Sequence, residues 1–185
     1  LVSGDFDNDG DLDYLVGNTG RNTVTDISND HPMKVYFNDF DKNGRYDLFP
    51  ACYFPDQNGQ MVEYPYFGRL EIAKQYNVIQ KKYRKHKELA VTPMNKLFTP
   101  EEMEGCLILA ANNFNTSYVE NLGNGKFKIK TLPKLVQRSP IYGMKTVDVN
   151  QDGNLDVLMV GNDYGIEVSI GRMDAHDGLV AFGDG

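Results

Sequence analysis

The stretch DFDNDGDLD, Asp5 to Asp13, places a carboxylate at every second position of nine residues, with no basic residue among them. Charges of one sign that close repel, so something must compensate them. The chain repeats the stretch twice, as DFDKNGRYD from Asp39 to Asp47 and as DVNQDGNLD from Asp148 to Asp156. All three fit one template, D-[FV]-[DN]-x-[DN]-G-x-[LY]-D. Positions 1, 3, 5 and 9 always carry an oxygen side chain, and position 6 is always glycine: Gly10, Gly44 and Gly153. A hard cation such as Ca2+ takes roughly six to eight oxygen ligands from a flexible loop. Side chains at positions 1, 3 and 5 converge if the loop turns sharply, and glycine allows that turn. Position 7 varies freely (Asp11, Arg45, Asn154), as expected where only a backbone carbonyl contributes. An Asx-rich turn would account for the Asn and Gly residues. It would not account for oxygen side chains at the same four positions in three loops.

These are not EF-hand loops. That motif needs a bidentate Glu at position 12 and a helix on each side. Position 12 here is Val16, Pro50 and Met159. The flanking runs are LVSG and DYLVG, KVYFN and DLFPACYF, MKTV and DVLMVG, which are β-branched and aromatic strand material. Each loop is therefore expected to join the two strands of a hairpin, with Leu12, Tyr46 or Leu155 at position 8 turned inward as an anchor.

The repeat extends beyond the loop. LVSGDFDNDGDLDYLVGNTG aligns with MKTVDVNQDGNLDVLMVGNDYG along its length. ENLGNGKFKIK, Glu120 to Lys130, reads as a second hairpin, and the final VAFGDG matches its beginning. A chain that opens on the strand-like run at Leu1 and stops in mid-hairpin reads as an excised or processed piece. From Asp5 to Asp39 is 34 residues and from Asp39 to Asp148 is 109. Propeller-type repeats run at roughly 40 to 50 residues, so the second interval holds an insertion. Ile72, Tyr76, Ile79, Tyr83 and Ala90 mark one helical stripe within IAKQYNVIQKKYRKHKELA. FTPEEMEG then reads as a second helix, with Thr99 as cap, Pro100 at its first position and Gly105 as stop. The expected organisation is residues 1–67 as blades with two metal loops, 68–105 as an α-helical insertion, and 106–185 as blades with the third loop.

At 185 residues, 41% hydrophobic and 24% charged, the composition is that of a globular chain. A net charge of −7 argues against nucleic acid as the main partner. The basic run KKYRKHK, Lys81 to Lys87, reads as a solvated outer face. No apolar run of 18 residues predicts a transmembrane segment. Cys52 and Cys106 sit in apolar stretches, as buried free thiols do. Tyr53, Phe54, Tyr64, Tyr66 and Phe67 flank the hairpin tip DQNGQ, and core packing is expected of them ahead of sugar stacking. His31, His86 and His176 are scattered, and no nucleophile elbow, phosphate loop or HExxH motif is present.

The repeated DFDNDGDLDYLVGN, DFDKNGRYDLF and DVNQDGNLDVLMVGN units, with NLGNGKF between them, resemble the FG-GAP/VCBS repeats of integrin-like β-propellers. YFPDQNGQMVEYPYFGR, LFTPEEMEGCLILAANNFNTSYVENLGNGKF and GNDYGIEVSIGRMDAHDGLVAFGDG are similar to the repeat region of bacterial proteins allied to cartilage acidic protein and the UnbV (ASPIC) group. The resemblance implies an all-β fold, a partial propeller of antiparallel blades with calcium-binding hairpin loops and an α-helical insertion. It implies about three Ca2+ per chain. The family's ligand positions fall on Asp5, Asp7, Asp9, Asp11 and Asp13; on Asp39, Asp41, Asn43, Arg45 and Asp47; and on Asp148, Asn150, Asp152, Asn154 and Asp156. It further implies a non-enzymatic protein, extracellular, on the cell surface or periplasmic, that binds a protein or glycan and completes its ring with the rest of the same propeller. The rival expectation is a fragment of a calcium-dependent polysaccharide lyase, for which no basic residue facing a metal-bound uronate is visible in the sequence.

Overall fold

The computed structural model describes residues 1–166 and 171–185. Of the stretch from Gly161 to Gly185 that carries part of the resemblance, residues 167–170 lie outside the described residues. Along the chain run β1 (Val2–Gly4), β2 (Asp13–Val16), β3 (Met33–Asn38), β4 (Asp47–Pro55) and β5 (Met61–Pro65). Helices α1 (Arg69–Gln75), α2 (Val78–Lys82) and α3 (His86–Ala90) follow. Then come β6 (Leu107–Ala111), β7 (Ser117–Asn121), β8 (Phe127–Thr131), β9 (Gly143–Val147), β10 (Asp156–Val160) and β11 (Leu179–Ala181). All strand pairs are antiparallel. Each acidic stretch turns a hairpin as expected: β1 with β2, β3 with β4, and β9 with β10.

The chain divides into two compact units, Leu1–Val24 with Phe114–Gly185, and Thr25–Asn113. The first holds two sheets, ordered β1-β2-β7-β8 and β9-β10-β11. Both place an acidic-loop hairpin first and a third strand beside its second: Leu15 pairs with Tyr118, and Leu158 with Val180. The copies differ in the connection to that third strand. In the first copy the whole of Thr25–Asn113 lies between β2 and β7; in the second, residues 161–178 suffice. Strand neighbours are therefore not all consecutive in sequence: β7 lies beside β2. Leu15, Val136, Ile141, Val157 and Met159 form this unit's core. Along β10, Val157 and Met159 point in while Leu158 and Val160 are exposed, the period-two signature of a strand with one buried face. Gln137 is buried and fully used: its side chain accepts from the Thr116 N–H at 2.9 Å and donates to the Thr116 and Leu132 carbonyls at 2.8 and 3.0 Å.

The second unit carries one sheet, ordered β5-β4-β3-β6, with β6 returning to the free side of β3. Its core is aromatic. Phe40 and Phe98 stack with ring centroids 4.0 Å apart, and Phe49 and Tyr76 pack around Phe98 at 5.4 and 5.5 Å. Ile72, Ile79, Leu89 and Leu97 close this core, so the helical stretch packs with β3 and β4 rather than standing apart. Each fully buried large side chain contributes about 1.5–3 kcal/mol.

The single long helix expected over Ile72 to Ala90 is three short ones. Tyr76 and Tyr83 leave the helical region at their C-caps, with φ −114°, ψ 86° and φ −125°, ψ 101°. No Gly or Pro lies between Arg69 and Ala90, so tertiary contacts make the breaks. The Arg69 Nε–H donates to the Tyr83 carbonyl at 2.7 Å, which removes that oxygen from any continuing helix. The breaks shift the phase, so Leu89 is buried and Ala90 exposed, the reverse of the expected stripe. FTPEEMEG forms turns rather than a second helix. Its capping box is nonetheless present: the Thr99 N–H reaches Glu102 Oε2 at 2.7 Å and the Glu102 N–H reaches Thr99 Oγ1 at 3.2 Å.

Candidate metal centres

The three acidic loops share one backbone. Position 6 is left-handed in each, with φ of 93°, 84° and 92° at Gly10, Gly44 and Gly153. Position 4 is left-handed as well, at Asn8 (59°), where Asn suits it, and at Lys42 (56°) and Gln151 (62°), whose side chains do not announce it. The same hydrogen bonds recur. The position-1 carboxylate accepts from the N–H groups of positions 5 and 6: Asp5 at 3.1 and 3.1 Å, Asp39 at 2.9 and 2.8 Å, Asp148 at 3.2 and 3.0 Å. The position-5 oxygen accepts from the position-7 N–H: Asp9 at 3.0 Å, Asn43 and Asp152 at 2.8 Å. Arg45 presents an exposed side chain, so its part in the second loop is confined to its backbone.

The last position departs from expectation. Leu12 and Tyr46 at position 8 are 55% and 69% exposed and anchor nothing in the core, whereas Leu155 is half-buried and lies against Gly4. Position 9 turns in instead, and Asp13, Asp47 and Asp156 are 0–3% exposed. A carboxylate enters the interior only with partners, and in two of the three both oxygens have them. Asp13 accepts from the Asn121 N–H at 2.8 Å, the Tyr118 hydroxyl at 2.6 Å and the Phe6 N–H at 3.3 Å. Asp156 accepts from the Val149 and Gly183 N–H groups at 2.8 and 3.0 Å. Each therefore fastens its loop to the end of the neighbouring third strand, and burial plus the Asp13 bond pushes the Tyr118 hydroxyl up. Asp47 has the Phe40 N–H on its carboxylate, but its Oδ2 is buried without a partner. Strand β5 ends opposite Ala51 and does not reach it; Gln75 of α1 pairs instead with the backbone of Leu48.

Other carboxylate oxygens share that condition. Asp7 Oδ1 and Asp41 Oδ1 at position 3, and Asp11 Oδ1 at position 7, are shielded from solvent and accept no hydrogen bond. Burial, followed by the charges of Asp13 and Asp9, raises Asp7 above the usual carboxylate range; burial, followed by Asp9 and Asp13, does the same for Asp11. In the third loop the backbone N–H of Asn154 and the Asn150 amide hold Asp152 below that range, with Asn150 Nδ2 donating to Asp152 at 2.8 Å. Among the described residues, Asp5, Asp7 and Asp9 are the three acids whose oxygens come within 4.8 Å of one another. The first and third loops lie side by side in their unit, where Asn8 Nδ2 donates to Asn154 Oδ1 at 2.9 Å.

The structure does not gather the histidines. His31 packs against Tyr53 at 5.1 Å, His86 opens the exposed α3, and His176 is buried in the other unit. Cys52 and Cys106 are both free thiols; Cys52 is buried, Cys106 half-buried. The sequence reading missed a polar cluster on β3–β5, where Glu63 accepts from Lys34 at 2.7 Å and from the Tyr36 hydroxyl at 2.8 Å. No helix among the described residues is long and apolar enough to cross a membrane. Comparison with protein-family models, with curated proteins and with solved structures finds no match for this chain.

Proposed function

We propose that the chain is a non-enzymatic, calcium-stabilised segment of a β-propeller of the FG-GAP/VCBS kind, secreted or on a cell surface, presenting a surface for protein or glycan binding. The observation that carries the metal is the set of shielded, unpartnered carboxylate oxygens on Asp7, Asp11, Asp41 and Asp47. An acceptor shielded from water and without a donor is destabilising, the more so when charged. A divalent cation is the partner these oxygens lack.

The donor set fits calcium. It is all oxygen, drawn from carboxylates, amides and backbone, with no His or Cys within any of the three loop segments to favour a softer metal. Asp5, Asp7, Asp9, Asp11 and Asp13 would hold one ion. Asp39, Asp41, Asn43, the Arg45 backbone and Asp47 would hold a second; Asp148, Asn150, Asp152, Asn154 and Asp156 would hold a third. When bound, the ion supplies positive charge to oxygens that otherwise repel. The protein residues do the rest: the N–H bonds to positions 1 and 5 preorganise the loop, and Asp13 and Asp156 tie it to the third strand. Exposed loops of this kind suit the millimolar calcium found outside cells.

Thermal unfolding in calcium against chelator tests the reading. Binding to the folded state alone stabilises it by about 2.7 kcal/mol at a hundredfold excess over Kd. The expected result is a clear rise in Tm with calcium. Identical melting in both solutions would reject a structural metal.

A further inference from the structure

A cavity of about 780 Å3 opens in the second unit, between the β4–β5 hairpin and the helical segment. Its volume falls in the roughly 300–1,000 Å3 range of small-ligand sites. One wall is built by register. Phe54 pairs with Val62, Cys52 pairs with Tyr64, and the Tyr66 N–H continues the ladder to the Pro50 carbonyl. Phe54, Val62, Tyr64 and Tyr66 therefore share one face of the hairpin and line the cavity together. Of the aromatics expected to be core, Phe54, Tyr64, Tyr66 and Phe67 are half-buried and border this space, Phe67 also packing against the unit's core, while Tyr53 lies against His31 instead.

The rest of the lining is apolar and neutral residues with two cations, Arg69 and Lys96, and the His86 imidazole. The Arg69 guanidinium is held at the wall by its bonds to the Tyr83 and Gln80 carbonyls at 2.7 and 3.4 Å. Asp56 is the one acid in the lining, and its Oδ1 is engaged by the Asn58 and Gln60 N–H groups of the hairpin turn at 2.8 and 2.9 Å. Among the described residues neither Lys96 nor His86 makes an ion pair. A chain of net charge −7 thus keeps a positive, aromatic-walled recess, and the exposed Lys85 and Lys87 of the basic run adjoin it in sequence.

We infer that this recess binds an acidic carbohydrate, a short oligosaccharide bearing carboxylates, with sugar rings against Tyr64 and Tyr66 and a carboxylate toward Lys96 and Arg69. Aromatic faces offer apolar area at small entropic loss, and a cation supplies a charge-assisted hydrogen bond to the acid. Single-stranded nucleic acid also uses aromatic and basic groups, but along an extended groove with one phosphate per nucleotide. A short, bounded recess on an acidic chain favours the sparser charge of a uronate. The inference deepens the glycan part of the proposed function and rests on it for the ligand class; the metal loops take no part.

The test is calorimetric titration of the whole chain, in calcium, with a glucuronate-containing tetrasaccharide. The same sugar with its carboxyls reduced to alcohols and a short single-stranded oligonucleotide serve as comparisons. Expected are a Kd below about 1 mM for the acidic sugar and at least about tenfold weaker binding of the reduced one. Lys96→Gln and Tyr66→Leu should each weaken the acidic sugar about tenfold while leaving the calcium-dependent Tm rise unchanged. Lys96 is exposed, so its variant decides the matter if Tyr66→Leu fails to fold. No binding, equal binding of the reduced sugar, tighter binding of the oligonucleotide or an unaffected Lys96→Gln variant would each overturn the inference. Sugar binding without any calcium effect on Tm would remove the metal reading and leave this one standing.

Discussion

Replacing Asp47 by Asn should stabilise the metal-free protein and abolish part of its response to calcium. Burial raises Asp47 from the ordinary 3.8 to about 6; the Phe40 N–H opposes the rise, and Asp41 and Asp39 add to it. A raised folded-state value means that the fold disfavours the charged form. The penalty is absent below about pH 4, where the group is protonated in both states, and builds as pH rises to about 6. Two pKa units at about 1.4 kcal/mol each set a ceiling of about 3 kcal/mol. Solvent reaches the loop from its exposed positions, so about 1–2 kcal/mol is the expected gain for the Asn variant at pH 7. For a chain of this length that corresponds to a rise in Tm of about 3–6 °C. In calcium the sign reverses, because the unmutated carboxylate gains its cation and the amide offers only a neutral oxygen. Melts in chelator and in calcium, from pH 4 to 8, read both effects. An Asn variant less stable than the unmutated chain in chelator at pH 7 would refute the reasoning, since Asp47 would then have a donor that its Oδ2 lacks here.

Three further outcomes follow from the same geometry. Asp9→Ala should remove more of the calcium-dependent Tm rise than Asp152→Ala, because the first loop carries five acids and the third three, and Asp152 is already stabilised by the Asn154 N–H and the Asn150 amide; paired melts with and without calcium check the order. Tyr118→Phe leaves Asp13 with backbone donors alone and should destabilise the first unit by about 1–2 kcal/mol in denaturant titration. Partial burial alone would raise Glu102, but the Tyr76 hydroxyl, the Thr99 N–H and Lys82 outweigh it and hold the carboxyl below the usual range. Its contribution is therefore present above the ordinary glutamate value and is lost as pH falls through the lowered one; Glu102→Gln should flatten that acid limb of the stability curve, by about 1 kcal/mol.

The loops and their hairpins were legible because the chemistry is local. Oxygen side chains at fixed spacing, a glycine at position 6 and strand-like flanks lie within about 20 residues of one another, and the pairing of Gly4 with Asp13, Asn38 with Asp47 and Val147 with Asp156 follows directly. The facing of the last two loop positions was not legible. Apolar Leu12 and Tyr46 read as the inward residues by hydrophobicity alone, but hydrogen bonds from Phe6, Tyr118 and Asn121 draw Asp13 in and turn its neighbour out. Two of those donors lie more than 100 residues away in sequence. The same distance hid the pairing of β2 with β7 and the return of β6 to β3, which no local pattern specifies. The helix breaks at Tyr76 and Tyr83 carry no Gly or Pro signal because side-chain burial and the Arg69 bond impose them. The cavity escaped notice for a related reason: its aromatic wall and its cations come from segments that meet only once the hairpin and the helices fold together.

The most direct measurement is a crystal structure grown in millimolar calcium, with anomalous scattering to identify the ions. The account predicts three Ca2+ per chain, one in each loop, ligated by the side chains at positions 1, 3, 5 and 9 and by the backbone carbonyls of Asp11, Arg45 and Asn154. Empty loops with the carboxylates of Asp7, Asp41 and Asp152 turned out to solvent would contradict it.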